Sequence, residues 1–185
     1  MTATTLDPRT ALVVIDLQKG IVSRETAPHP AAGVVANSVA LADAFRAKGL
    51  PVVLVHVVDG APGRNEASAG SGGRPAADWA DIVPELGPRE GDIVVTKRTW
   101  GAFHGTDLDL RLRRAGVTQL VLTGIATGIG VESTARSAHE YGYHVTIATD
   151  AVTDMDADTH RNSVERIFPR LGETDTTEAI IKLLG

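Results

Sequence analysis

The 185-residue chain contains no cysteine, and that one absence removes disulfides, thiolate metal sites and thiol catalysis together. No apolar run approaches the ~18 residues that a membrane span requires. A basic excess is missing too. The net charge of −5 argues against a nucleic-acid partner and against an anionic membrane surface. The first ten residues, MTATTLDPRT, lack the basic and apolar regions of a secretory leader. These absences predict a cytoplasmic protein. Internal repeats are absent as well, and the only low-complexity tract is residues 59–75.

What is present suits one globular domain over residues 1–185, because 43% hydrophobic and 22% charged residues supply a substantial core under an ordinary surface. ALVVIDL at 11–17 is apolar on both faces of an extended chain, which suits a buried parallel strand. Further strands are predicted at 52–58, 92–96, 119–123 and 144–149, with a weak one at 171–175. Helical spacing is read at 31–48, 107–115, 129–142 and 156–168, in a short segment from Trp79 to Leu86, and in a terminal helix through Ile180 and Leu184. Gly49 has the place of a C-cap, and Thr106 or Asp107 that of an N-cap. Residues 21–30 read as loop, broken by Pro28 and Pro30. The Gly/Ser/Ala-rich stretch 59–75 reads as a mobile insertion over the sheet edge, since it can bury little to offset its ordering entropy. Alternation of strand and helix predicts an α/β fold, a parallel sheet with helices on both faces.

The chain is organised around residues 119–138, QLVLTGIATGIGVESTARSA. Here an apolar strand meets a helix N-terminus through a glycine-rich turn, the joint at which open α/β sheets build ligand sites. Asp16, Lys97 and the 124–130 turn all fall at carboxyl ends of predicted strands, which places them on one rim. Taken singly, each has a plain reading. Asp16 is equally a structural acid accepting backbone N–H groups, and Lys97 a solvated charge at a strand end.

The same stretch resembles the signature of the isochorismatase-like, or cysteine hydrolase, family, T-G-[VI]-x-T-x-x-C-V-x-x-T-A-R-x-A. Thr123, Gly124, Ile125, Thr127, Val131, Thr134, Ala135, Arg136 and Ala138 match it, and Gly130 stands where the nucleophilic cysteine belongs. Asp16 in V-V-I-D-L-Q and Lys97 in V-T-K-R match the other two members of the family's triad. W-G-A-F-H-G-T-D-L at 100–108 and A-T-D-A at 148–151 extend the likeness over nearly the whole chain. The resemblance implies a three-layer α/β/α sandwich on a six-stranded, Rossmann-like parallel sheet. It also implies a non-proline cis peptide near Ile125-Ala126 with N–H groups forming an oxyanion hole, and a homo-oligomer of at least two chains.

Gly130 leaves two readings open. Either catalysis is lost and the pocket only binds, or the reaction needs no covalent nucleophile. Members with glycine here resemble a general-acid enzyme in which the aspartate supplies a proton and water completes hydrolysis. On that reading the substrate is a small carboxylate-bearing molecule, and Lys97, Arg98 and the turn N–H groups accommodate its charge. The lysine beside Asp16 is expected to lower the carboxyl pKa and weaken it as an acid.

Other candidates to line the pocket are Gln18, His56, Trp100, Phe103, Ile125, Ala126 and Ile129. Each has a structural alternative: Gln18 as a loop anchor, His56 and His104 as satisfied histidines, Trp100 and Phe103 as core. Arg136 reads as an anchor for its helix or for a subunit contact. The metal-binding amidases of the superfamily use a D-x-H pair and a further histidine after the second strand. Here His56 precedes Asp59 and the loop beyond holds no histidine, so neither metal nor cofactor is expected.

Overall fold

A computed structural model of the chain describes residues 2–61, 63–66 and 76–185. Residues 62 and 67–75, most of the stretch read as a mobile insertion, lie outside the described residues. Six strands form one sheet in the order β3-β2-β1-β4-β5-β6, with every neighbouring pair parallel. They are β1 (Thr10–Ile15), β2 (Val52–Val57), β3 (Ile93–Lys97), β4 (Gln119–Ile125), β5 (His144–Thr153) and β6 (Glu173–Asp175).

The apolar run of β1 is buried throughout because both of its faces are covered. Ala11, Val13 and Ile15 point into one core, with Leu112 of α3 (Leu108–Arg114), Ala135 of α4 (Glu132–Glu140) and Phe168 of α6 (Phe168–Leu171). Leu12 and Val14 point into the other, with Leu41 and Phe45 of α2 (Ala31–Ala47) and Ile180 of α7 (Thr177–Leu183). The result is the α/β/α sandwich that the resemblance implied.

Four stretches depart from the periodicity. The short segment before Leu86 is a series of turns, not a helix. Its backbone groups are taken by the chain after β1: Lys19 N–H donates to the Asp81 carbonyl at 2.9 Å and Gly20 N–H to that of Trp79 at 3.0 Å. That chain is itself a helical turn, α1 (Lys19–Val22), running into the stretch read as loop. Residues 129–142 begin as a π-turn, Thr127–Val131, before α4. The predicted 156–168 helix is likewise split, into α5 (Ala157–Asn162), a π-turn at Ser163–Ile167 and α6. At α3 the Thr106 hydroxyl accepts the Leu108 N–H at 3.2 Å, while the Asp107 carboxylate turns to Arg111 at 2.7 Å.

Gly124 shows why the turn must begin with glycine. Its φ is 125°, in a region that L side chains rarely adopt. A Cβ there would lie 2.0 Å from the Ile15 carbonyl oxygen, since β4 and β1 are adjacent at this register. We expect Gly124→Ala to lower stability by about 3 kcal/mol or more, from strain and overpacking together. Urea denaturation checks this; a loss under about 0.5 kcal/mol, the scale of a neutral surface change, would overturn the packing account.

A candidate active site at the carboxyl ends of the central strands

β1 ends at Ile15, and Asp16 follows with φ 55°, a left-handed value that aspartate tolerates better than most residues. Its own N–H remains bonded to the Val55 carbonyl at 2.9 Å, so the backbone is fixed. Asp16 Oδ2 lies 2.8 Å from Nζ of Lys97, the last residue of β3, and the two side chains are 7% and 1% exposed. Since β2 lies between β1 and β3, the ion pair spans the end of that strand. Lys97 also donates to the Trp100 carbonyl, while Asp16 Oδ1 is buried without a hydrogen-bond partner among the described residues.

Burial raises the Asp16 carboxyl to about 6, because the charged form loses water and regains only part of that solvation. Lys97 pulls in the opposite direction, as does His56 more weakly, and neither prevails. The expectation that the lysine leaves a depressed carboxyl is thereby corrected: desolvation outweighs the neighbouring charge.

Gly130 completes the group. It lies buried in the π-turn, and a Cβ built on it would sit 3.2 Å from Asp16 Oδ2, 3.2 Å from Lys97 Nζ and 3.0 Å from Ile15 Cγ2. A side chain at 130 therefore starts between acid and base, and glycine leaves that space free. The turn is held from behind. Thr134 donates to the Gly130 carbonyl at 2.7 Å and accepts the Ala102 N–H at 3.1 Å, tying the turn to the loop after β3. The buried Asp154 carboxylate accepts the Gly128 N–H at 2.7 Å. Thr127 Oγ1 lies 2.9 Å from His160 Nδ1; burial first, then His29, keep His160 below the usual histidine range against the opposing charge of Asp154. The Ile125-Ala126 peptide is cis.

These groups open onto a cavity of about 230 Å³. Its floor is Asp16, Lys97 and Gly130, its walls include Trp79, Trp100, Ile129 and Met155, and it also touches Arg24 and Asp59. A larger hollow of about 400 Å³ surrounds Gln119 and His144, at the amino ends of β4 and β5, but it contains no buried carboxylate or lysine. Ligands in open parallel sheets bind at the other end.

A family model described as the isochorismatase domain matches residues 10–179, so it takes in the acid, the lysine and the whole turn. The chain belongs to the isochorismatase family. It is 47% identical over 180 residues to the isochorismatase family protein YwoC of Bacillus subtilis, covering 94% of this chain and 93% of that one. It is 32% identical over 211 residues to the ureidoacrylate amidohydrolase RutB of Methylobacterium radiotolerans, covering 97% and 81%. The solved structure of an isochorismatase family protein from Burkholderia thailandensis superposes with a TM-score of 0.89 at 43% identity, over 97% of each chain. At this coarse level the protein is an isochorismatase-family hydrolase.

Within the family's cavity the structure brings together Asp16, Lys97, Gly130, Trp100, Ile125, Ala126 and Ile129. It leaves out four residues named from sequence. Phe103 is 6% exposed in the core beneath α3 and α4, its ring 5.3 Å from that of Tyr141. Arg98 is exposed beyond the strand end, because alternation sends it away from the face of Lys97. Gln18 is fully buried, giving Nε2 to the Val57 carbonyl and taking the Val57 N–H on Oε1. His56 donates from Nδ1 to the Ala80 carbonyl at 2.8 Å, which leaves Nε2 to accept from Thr96 at 2.7 Å.

Gln18 and His56 instead fix a wall that sequence reasoning missed. Gln18 Nε2 also reaches the Trp79 carbonyl at 3.2 Å, and Lys19 pairs with both Asp78 and Asp81. The Trp79 indole rests on Gly20, where a Cβ would lie only 1.9 Å from its Cδ1. No periodicity marks Trp79 as a wall. The one signal is a glycine directly after D-L-Q-K. Gly20→Ala should lift the indole and open the cavity with little loss of fold, because the displaced group is a side chain. In a Trp100→Phe background, fluorescence reads Trp79 alone, and a red-shifted emission is expected. An unchanged spectrum would mean that the indole does not rest on residue 20.

Proposed function

We propose that this hydrolase cleaves a small carboxylate-bearing molecule without forming a covalent intermediate on residue 130, with Asp16 moving the proton. The observation that carries the reading is that the buried pair of Asp16 and Lys97 survives around an open space. Buried charges of this kind are costly to keep, yet the position between them holds no side chain. An acid near 6 suits proton transfer close to neutral pH, where a catalytic pKa should lie. Its unpartnered Oδ1 is the atom free to carry the proton.

In this reading Asp16 in its acid form protonates the leaving atom as the scissile bond breaks. Water adds to the carbon left behind and returns a proton to the carboxylate, so hydrolysis closes with Asp16 restored. Lys97 holds Oδ2 in place and stabilises the carboxylate between the two transfers. A relative named for hydrolysis of ureidoacrylate, itself a carboxylate, supports the substrate class.

Asp16→Asn should cut turnover by about 10²–10⁴-fold, the usual contribution of a general acid or base, while ligand affinity changes far less. A ligand bound tightly, never hydrolysed and indifferent to Asp16→Asn would defeat the reading and favour a binding protein that has kept the pocket.

The pH profile is a separate check. A step that needs the proton on Asp16 is fastest below the folded-state value and is lost as pH rises through about 6. The rate per enzyme at low substrate should therefore fall across that window; a rise would mean that the rate-limiting transfer uses Asp16 as a base. Gly130→Cys tests the open space. Its thiol would begin beside Lys97 at the start of a helix, where thiol pKa values fall below the ordinary ~8.5. We expect alkylation by iodoacetamide already near neutral pH, together with lower native activity because the water site is filled. Improved native activity would contradict this.

A further inference from the structure

Among the described residues, two cationic residues line the cavity, Lys97 and Arg24, and they differ in what already holds them. Lys97 is buried against Asp16 Oδ2 and the Trp100 carbonyl, so its charge is matched inside the site. Arg24 is exposed, and its guanidinium has no ion-pair or hydrogen-bond partner among the described residues. Its backbone is nonetheless fixed on both sides. Arg24 N–H donates to the Ile21 carbonyl at 3.1 Å, directly after α1, and three residues on Ala27 exchanges backbone bonds with Asp154 at 2.8 and 3.1 Å. Ile21 and Met155, at the two ends of this span, both line the cavity.

Asp59 is the remaining charged group of the lining. Its Oδ1 takes the N–H of Gly60 at 2.8 Å, and no cation pairs with it among the described residues. The four charges, Asp16, Lys97, Arg24 and Asp59, therefore cancel. One carboxylate entering this cavity finds one unmatched guanidinium. A second finds no further cation among the described residues and meets Asp59 instead.

The geometry points to Arg24 as the specificity-determining residue of this site, selecting a substrate with a single carboxylate over a dianion or a neutral analogue. It is a guanidinium, suited to a two-pronged grip on a carboxylate, and the mainly apolar walls beside it leave few competing polar contacts. The cavity, about 230 Å³, is smaller than the ~300–1,000 Å³ usual for drug-sized ligands, so the molecule is compact. The assignment rests on the proposed function only in taking the bound molecule as substrate; the charge selection is a property of the cavity itself.

The test reads binding without turnover, by calorimetry at low salt on the intact protein, using butyrate and benzoate, their amides, and phthalate as the dianion. Wild-type protein should prefer the monocarboxylates to both the amides and phthalate. Arg24→Met should weaken the monocarboxylates by about tenfold or more, the worth of one charged hydrogen-bonded contact, and leave the amides nearly unchanged. Asp59→Asn should improve phthalate more than benzoate. Equal affinity of Arg24→Met for acid and amide would be the expected loss of preference; retention of the wild-type preference in that variant would overturn the assignment. So would tighter binding of phthalate than benzoate by wild-type protein, or failure of every monocarboxylate to bind it. A protein that shows the preference but hydrolyses no small ester or amide that keeps one free carboxylate, such as monomethyl succinate or succinamate, would count against the proposed function and leave Arg24 standing.

Discussion

The structure depends on one costly contact, the ion pair of Asp16 and Lys97 in the sheet's carboxyl rim. Removing two such groups from water costs several kcal/mol per ion, and a buried pair is often no better for stability than apolar residues of similar volume. Here the balance is worse than usual, since one carboxylate oxygen has no partner among the described residues. The surrounding architecture keeps both side chains in place regardless. The Val55 carbonyl fixes the Asp16 backbone, the Trp100 carbonyl takes a lysine proton, and Thr134 joins that loop to the turn at Gly130. An arrangement that neither packs nor hydrogen-bonds to best advantage fits the proposed proton transfer, where an unsatisfied oxygen is an asset.

The parts of this protein that were legible in its sequence were those governed by short-range rules. A run such as VVI before Asp16 is buried on both sides wherever a parallel sheet forms, and the turn from Thr123 to Gly130 states its glycines openly. Lys97 and Asp16 were placed on one rim by strand ends alone. What stayed hidden was set by long-range backbone bonding. The segment before Leu86 has apolar spacing compatible with a helix, but its Trp79 and Asp81 carbonyls are taken by residues 18–20 and its Val83 N–H donates to the Leu17 carbonyl. Gln18 and His56 looked like pocket residues because they sit at strand ends, yet each side chain finds two backbone or hydroxyl partners and turns from the cavity. Arg24 had no pattern around it. Only the tertiary pairing of Ala27 with Asp154 brings it to the mouth.

The sign of the Asp16 shift carries a related lesson. A lysine beside an aspartate invites the inference of a depressed pKa, and the sequence displays both residues without displaying their burial. Desolvation is a property of the completed fold, and here it outweighs the charge next door.

Among the described residues, Asp59 and Gly60 line the cavity just after β2, and Trp79 lines it again ahead of β3. The chain at Trp79 is riveted to residues 18–20 by the side chains of Gln18 and Lys19. The proposed proton transfer and the proposed charge selection are mounted on different supports, the first on strand ends inside the sheet and the second on Arg24, in the chain after α1. A lineage can re-letter that short stretch after α1, and so retune what enters, while the acid and its lysine stay in register.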